Sequence, residues 1–192
     1  MERNDLYVII TAGGVGRRMG GSTAKQFLEL EGKPILLRTI EMFTDLYDKI
    51  NIIVTLPAEF KEYWKEYCFK QNLWIKHIVV EGGITRFHSV RNALEYVPDG
   101  AVVAVHDGVR PFVPQEILEN LLNYDFKANN VAGVIPAMPS IESMREKIFD
   151  NDGLQVGSAP VDRDKYLFVQ TPQVFEAKLI KGAYERLLAE EV

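Results

Sequence analysis

The sequence predicts an α/β protein built on a doubly wound, mostly parallel sheet with helices on both faces. Two observations support this fold class. Apolar runs typical of buried strands alternate along the chain with segments of helical periodicity, and the first run leads directly into a glycine-rich turn. Such alternation indicates parallel strands joined by helical crossovers, a Rossmann-like arrangement. Ligands of open α/β sheets bind beyond the carboxyl ends of the strands, so we expect the glycine-rich turn to lie at a ligand-binding edge.

The predicted elements follow one another in regular order. Runs rich in apolar and β-branched residues are predicted strands: Leu6–Thr11, Ile50–Leu56, Ile75–Val80, Ala101–His106 and Val131–Ile135. Segments with apolar residues three or four positions apart are predicted helices: Ile35–Phe43, Ala58–Lys70, Thr85–Tyr96, Pro114–Lys127 and Ala177–Glu190. Prolines stand at or just before several helix starts, where the missing N–H is not needed.

Residues 136–165 interrupt this alternation. Prolines bracket polar strand-like pieces there, and the Asn-Asp-Gly tripeptide at residues 151–153 is a strong hairpin turn signal. We therefore predict a protruding β-arm inserted in a single domain that spans residues 1–192. An ordinary surface hairpin is the alternative interpretation.

The overall composition limits the classes of function. The 192 residues carry a formal net charge of −5, which argues against a general nucleic-acid surface. No apolar run approaches the roughly 20 residues that span a bilayer, and the polar N-terminus lacks the apolar stretch of a secretory signal. We therefore expect a cytoplasmic protein without a membrane partner. Cys68 is the only cysteine, which excludes an internal disulfide and a thiolate metal cluster.

The turn after the first predicted strand combines flexible backbone with positive charge. Its glycines and the basic residues that follow are Gly13, Gly14, Gly16, Arg17, Arg18 and Lys25. Glycine lets backbone amides point at an anion, and the cations add to the attraction. Met19 replaces the third glycine of a dinucleotide-binding fingerprint, and Gly21-Ser22-Thr23 replaces the Gly-Lys-Ser/Thr of a P-loop. The turn therefore predicts a polyphosphate site of another kind, and the alternative is a tight turn beside a solvated basic face.

Several motifs occur in an order that is specific when they are taken together. The pattern AGGVGRRMG at residues 12–20 is followed by KQF at 25–27 and GKPIL at 32–36. Further matches are Gly82-Gly83 with Arg86 and Ser89, the segment His106–Pro111, Val161-Asp162-Arg163 and Gln170–Gln173. The chain resembles the 2-C-methyl-D-erythritol 4-phosphate cytidylyltransferase family, in the cytidylyltransferase branch of the sugar nucleotidyltransferases. The resemblance covers nearly its whole length.

The resemblance implies transfer of a cytidylyl group from CTP to 2-C-methyl-D-erythritol 4-phosphate, with release of pyrophosphate, in non-mevalonate isoprenoid biosynthesis. No protein nucleophile is needed, because the acceptor phosphate attacks the α-phosphorus and the enzyme must hold two anions in line. By position in the motif, Arg18 and Lys25 would stabilise the pentacoordinate transition state. Asp107 would bind Mg²⁺ together with phosphate oxygens, and capping of a helix N-terminus is the alternative role for this carboxylate.

The resemblance also assigns the remaining site residues. The predicted nucleotide-binding residues are Ala12, Gly13, Gly14, Gly16, Arg17, Gly83, Arg86 and Ser89. A structural salt bridge would explain Arg86 equally well. The predicted acceptor-binding residues are Arg110, Ser143, Arg163 and Thr171. The resemblance implies that the arm grips a second subunit and carries its residues into the partner's active site, so we expect a homodimer.

The chain departs from the family pattern at several places. Ala24 replaces the usual proline before the lysine, Ile84 replaces an acidic residue, and the segment Ala137–Ser143 is longer than usual. Because the chain ends at Val192, we expect the C-terminal part of the family domain, with an acidic metal-site motif and a lysine, to be absent. A ribitol-5-phosphate or other polyol-phosphate cytidylyltransferase is an alternative function. An inactive nucleotide-binding or interaction protein is a second alternative.

Overall fold

The computed structural model describes residues 5–14 and 24–190. Its strands are β1 (Leu6–Thr11), β2 (Glu29–Leu30), β3 (Lys33–Pro34), β4 (Asn51–Leu56), β5 (His77–Glu81), β6 (Val102–Asp107), β7 (Gly133–Val134), β8 (Ala137–Pro139), β9 (Met144–Phe149), β10 (Gln155–Val161), β11 (Leu167–Val169) and β12 (Gln173–Glu176). Its helices are α1 (Ile35–Thr44), α2 (Ala58–Lys70), α3 (Arg86–Leu94), α4 (Gln115–Leu122), α5 (Phe126–Asn129) and α6 (Ala177–Glu190). Residues 135–170 form one compact unit, and the sheet and helices before and after them form the other.

A six-stranded sheet with the order β5-β4-β1-β6-β12-β7 is the centre of the larger unit. The strands β5, β4, β1 and β6 pair in parallel, whereas β12 is antiparallel to both β6 and β7. The chain adds β4 on one side of β1 and β6 on the other, so the winding direction reverses between β1 and β6. This switch point is where open α/β sheets bind ligands.

Helices cover both faces of this sheet and bury its side chains. Leu6, Val8 and Ile10 of β1 pack in one cluster with α1, α2 and α4. Ile9, which points to the opposite face, packs in a second cluster with α3 and α6. The predicted doubly wound α/β fold is therefore confirmed. None of the helices in the described part of the chain has the length and hydropathy that a bilayer span requires.

The bounds of several helices and strands differ from the prediction by one or two residues, and larger differences occur in the segments over 114–135 and 173–176. The predicted helix over 114–127 divides into α4 and α5, because Asn123 leaves helical geometry and the Asp125 side chain accepts a hydrogen bond from Ala128 N at 2.9 Å, which caps a new helix. The predicted strand over 131–135 shortens to β7. Strand β12 was not predicted, since four residues are too few to show a period of two.

The smaller unit consists of two antiparallel strand pairs. Strand β9 pairs with β10, and β8 pairs with β11. The turn between β9 and β10 contains Gly153 at φ +77°, and the Asp150 carboxylate accepts hydrogen bonds from Asp152 N and Leu154 N. The hairpin thus lies where the sequence predicts it. The assignment of residues 1–192 to one domain with an inserted arm stays a prediction.

Candidate active site

The carboxyl ends of three neighbouring strands form the floor of the candidate site. Thr11 at the end of β1 is in register with Thr55 of β4 and with Asp107 of β6. Ala12 N donates to Thr55 O at 3.0 Å, and Gly108 N donates to Thr11 O at 2.9 Å. These backbone bonds hold the turns that leave β1 and β6. Because the Ala12 amide is committed to β4, the candidate anion donors in the described part of the turn are the amides of Gly13 and Gly14.

A cleft of about 290 Å³ opens above this floor, between the glycine turn and the start of α3. Its lining consists of Thr11, Gly13, Gly14, Gly83, Ile84, Thr85, Arg86 and Ser89. A Cβ atom at Gly14 would meet no described atom within 4 Å, so the backbone there faces open space. The structure therefore brings together five of the predicted nucleotide-binding residues on one cleft.

Ser89 and Gly83 form a tightly packed side of the cleft. The Ser89 hydroxyl donates to Thr85 O at 3.0 Å and accepts from Gly83 N at 2.9 Å. A Cβ atom at Gly83 would lie 2.2 Å from the His88 Cβ and 2.9 Å from the His88 carbonyl carbon. Gly83 is thus required by packing against α3, which is a structural reason that the sequence alone did not reveal. The Ser89 oxygen keeps acceptor capacity for a ligand, because its proton is directed to Thr85.

Asp107 joins two of the predicted cationic residues. Arg86 Nε lies 3.2 Å from Asp107 Oδ1, and Arg110 Nε lies 2.9 Å from Asp107 Oδ2. The salt bridge that was the alternative explanation for Arg86 is therefore present, although Arg86 also lines the cleft. Thr171 belongs to the same group, since its hydroxyl accepts a hydrogen bond from Asp107 N at 3.4 Å.

Two buried polar residues position this group and were not predicted as site residues. His106 is fully buried, and its Nε2 lies 3.0 Å from Arg110 O, which identifies Nε2 as the protonated nitrogen. Burial lowers the pKa of His106 to about 4, so the imidazole is neutral. The Thr39 hydroxyl of α1 lies 3.0 Å from Ile35 O and 3.1 Å from Gly108 O, so the two carbonyl oxygens share its proton. In the sequence, His106 could have been identified as a polar residue at the end of the apolar run Ala101–Val105.

Comparison with known proteins identifies the family. The profile of IspD, 2-C-methyl-D-erythritol 4-phosphate cytidylyltransferase, matches residues 6–191. The chain belongs to this family. A 2-C-methyl-D-erythritol 4-phosphate cytidylyltransferase of Phocaeicola vulgatus is 44% identical over 180 residues, which are 94% of this chain and 78% of that protein. One of Clostridium botulinum is 35% identical over 187 residues, 97% of this chain and 80% of that protein.

Solved structures of the cytidylyltransferase family agree with this assignment. The 4-diphosphocytidyl-2C-methyl-D-erythritol synthase of Anaerococcus prevotii has a TM-score of 0.74 at 28% identity, over 97% of this chain and 78% of that one. The 2-C-methyl-D-erythritol 4-phosphate cytidylyltransferase of Thermus thermophilus has a TM-score of 0.70 at 26% identity, over 100% of this chain and 79% of that one. The family resemblance, the fold class and the assignment as a nucleotidyltransferase are all confirmed.

The predicted transition-state residues of this cytidylyltransferase are only partly described. Lys25 begins a short 3₁₀ turn, Lys25–Phe27, that follows the buried Ala24. Gly16, Arg17 and Arg18 lie outside the described residues, so their predicted roles stay predictions. The Ala24 backbone has φ −64° and ψ 138°, which a proline also adopts. Replacing the family's usual proline by alanine therefore keeps the same local backbone.

The predicted acceptor-binding residues of this family member belong to two compact units. Arg110 and Thr171 are part of the sheet unit, beside Asp107. Ser143 and Arg163 are part of the smaller unit, where Arg163 donates a hydrogen bond to Ile141 O. The acceptor-binding roles of these residues stay predictions.

In this cytidylyltransferase, a divalent cation would be bound jointly by a protein carboxylate and by phosphate groups of the substrate. No cluster of three or more His, Cys, Asp and Glu side chains suited to a metal is present among the described residues. Within residues 5–14 and 24–190, the Asp107 carboxylate lies at the switch point, and its side chain is 26% exposed. Mg²⁺ is commonly held by one or two carboxylates, with substrate phosphates and waters as the other ligands. Asp107 fits this arrangement once its carboxylate no longer pairs with Arg86 and Arg110.

Proposed function

We propose that this chain transfers the cytidylyl group of CTP to 2-C-methyl-D-erythritol 4-phosphate and releases pyrophosphate, a step of isoprenoid biosynthesis. The chain belongs to the family, and the observation that supports the proposal is one cleft at the carboxyl ends of its strands. This cleft is lined by Gly13, Gly14, Gly83, Arg86 and Ser89. The ribitol-phosphate alternative and the inactive alternative have no comparable observation in their favour.

The reaction is a single displacement at the α-phosphorus of CTP. A phosphate oxygen of the acceptor forms the new bond to phosphorus, and the bond to the pyrophosphate oxygen breaks on the opposite side. Negative charge grows on the oxygens around phosphorus, and Lys25 with Arg18 offsets it. Interactions that form only in the transition state raise kcat rather than affinity.

The hydrogen bonds of Ser89 give the cleft a preference among bases. The Ser89 proton is directed to Thr85 O, so the Ser89 oxygen is offered to a ligand as an acceptor. An acceptor at this position favours an N–H donor, such as the amino group of cytosine, over a carbonyl group. The Gly83 turn forms one side of this cleft, which has a volume of about 290 Å³.

A divalent cation is the proposed cofactor, with Asp107 as its protein ligand. When bound, Mg²⁺ would neutralise phosphate charge and polarise the bond to the leaving group. Arg110 and Thr171, which contact Asp107, would hold the acceptor's phosphate on the same side. Ser143 and Arg163 would complete the acceptor site of a partner subunit in a cytoplasmic homodimer.

The test is pyrophosphate release from CTP in the presence of each candidate acceptor. We expect turnover with 2-C-methyl-D-erythritol 4-phosphate and little with ribitol 5-phosphate. Lys25→Ala should lower kcat by about 100- to 1000-fold with a smaller change in CTP affinity. Lys70→Ala is the matched control, because Lys70 pairs with Glu66 on the surface of α2. Equal loss in both variants, or higher turnover with ribitol 5-phosphate, would overturn the assignment.

A further inference from the structure

Asp107 engages two arginines of the active site at the same time. We propose that Asp107 is a latch, whose carboxylate holds Arg86 and Arg110 until phosphate groups of the substrates replace it. The inference rests on the proposed function, because the competing phosphates are those of CTP and of the acceptor. Asp107 is thereby a positioning residue in addition to a cation ligand, and it controls when the two arginines become available.

The contacts have the geometry of a reversible latch. Each arginine uses its Nε, and each carboxylate oxygen accepts from a different arginine, at 3.2 Å for Arg86 and 2.9 Å for Arg110. The arginine side chains are 46% and 48% exposed, so solvent screens both pairs. Half-exposed ion pairs with one contact are weak, and a bidentate phosphate contact is stronger. A phosphate group can therefore displace the carboxylate.

The backbone around the latch is fixed while the side chains are accessible. Asp107 pairs with Thr11 in the sheet, and its amide donates to Thr171. The carbonyl of Arg110 is held by the buried His106. Release of the arginines from Asp107 can therefore proceed by side-chain rotation, which takes place on a faster timescale than a loop movement.

The balance of charge explains why release would need a cation as well as a nucleotide. In this structure two guanidinium groups face one carboxylate. If phosphate alone took the arginines, the Asp107 carboxylate would face the phosphates without a partner. A divalent cation would give that carboxylate a partner in the substrate-bound state. CTP affinity should therefore depend strongly on the cation, and neutralising Asp107 should weaken that dependence.

The test is calorimetric titration of CTP into the full chain, once with EDTA and once with Mg²⁺. We expect Asp107→Asn to bind metal-free CTP roughly 3- to 30-fold more tightly than wild type, because two weak ion pairs no longer compete. Its gain in affinity from Mg²⁺ should be smaller than the wild-type gain. The matched control is Glu81→Gln, which removes a carboxylate at the end of β5 that pairs with Lys61 at 3.9 Å. The control should change metal-free affinity less than twofold.

A double-mutant cycle separates the latch from general electrostatics. In an Arg86→Ala background, Asp107→Asn should improve metal-free binding by a smaller factor than it does in wild type, since one of the two competing pairs is already absent. The same gain in both backgrounds, or an equal gain in Glu81→Gln, would overturn the latch. So would metal-free binding by Asp107→Asn that is no tighter than wild type, once thermal melting shows that the variant is folded.

A measurement on the wild type needs no variant. The arginine Nε–H signals of Arg86 and Arg110 should both shift in ¹⁵N-edited NMR spectra when CTP and Mg²⁺ saturate the protein. Unchanged signals at saturation would overturn the latch alone. Failure of the wild type to bind CTP with Mg²⁺ would overturn the proposed function, and the latch with it.

Discussion

The two compact units of this protein differ in how they bury apolar side chains. In the sheet unit, Phe43, Trp64 and Leu118 are almost completely buried, within clusters on both faces of the sheet. In the described unit over 135–170, Ser140 is the only buried residue. Its apolar side chains are exposed, among them Ile135, Met138, Ile141, Ile148, Phe149, Leu154, Val156, Leu167, Phe168 and Val169.

This difference indicates how each unit is stabilised. The sheet unit has its own hydrophobic core, so its stability comes from within one chain. Two-stranded pairs without a core are marginal in water, and contiguous exposed apolar surface is typical of an interaction site. The proposed homodimer would cover the exposed apolar side chains of residues 135–170. Each of the following experiments tests one of the two units.

The largest expected effect is in the core of the sheet unit. Phe43 is completely buried and contacts the His106 ring edge-on at a centroid distance of 5.2 Å. Phe43→Ala should lower the free energy of unfolding by about 3–5 kcal/mol, because it leaves a cavity. Phe69→Ala is the control, since Phe69 is 83% exposed, and it should change stability by less than about 0.5 kcal/mol. Urea unfolding measures both, and equal losses would contradict a self-contained core.

The second effect is a pH dependence that originates in the sheet unit. The folded-state pKa of His106 is about 4, below its ordinary value of 6.5. The unfolded chain therefore binds more protons between these values, and stability is fully present above pH 6.5 and is lost as the pH falls toward 4. The loss should reach about 3 kcal/mol.

Metal-free urea unfolding at a series of pH values measures this loss. His106→Gln should flatten the slope between pH 6.5 and 4. The control is His88→Gln, because no histidine other than His106 is buried in the described chain. An unchanged slope in His106→Gln would show that other groups cause the acid sensitivity.

A smaller effect is expected for the exposed surface of the hairpin. Ile148 of β9 is 46% exposed, and Ile148→Asp should weaken a dimer by about 2 kcal/mol, or roughly 30-fold in the dissociation constant. Lys147→Ala is the control, since neighbouring residues of a strand point to opposite faces. Sedimentation velocity over a concentration series measures the change. A wild type that is active as a monomer would show that dimerisation does not explain the exposed apolar surface.

The smallest effect concerns Ala24, which directly precedes Lys25. Ala24→Pro should raise the free energy of unfolding by about 0.4–1 kcal/mol, because the native φ of −64° already suits proline and the unfolded chain becomes more restricted. Thermal melting with and without the substitution measures it. A lower melting temperature would mean that the buried Ala24 site has no room for the ring.

Local sequence pattern was sufficient where a signal is continuous along the chain. The run over 6–11 predicted β1 with its observed bounds, and the periodicities over 58–70 and 177–190 predicted α2 and α6. The pattern failed at β12, whose pairing with β6 depends on residues far away in the sequence. Gly13, Gly14 and Gly83 of the glycine motifs line one cleft, because parallel strands end at a common edge.

The partners of the charged site residues could not be read from the sequence. Arg86 and Asp107 are separated by 21 positions and meet only because the start of α3 lies at the side of the sheet where β6 ends. The sequence offered metal binding, helix capping and a salt bridge as separate roles for these residues. The structure shows the salt bridge, and it shows that His106 orients the Arg110 backbone from within the core.

The close approach of Gly83 to His88 limits how this active site could evolve. A mutation at Gly83 would disturb α3 before it could alter the preference for a nucleotide, so this position is closed to gradual change. The adjacent Ile84 is 97% exposed and lines the same cleft, so its side chain is free to vary without cost to the fold. A library intended to redirect the enzyme toward other nucleotides should hold Gly83 constant and randomise Ile84.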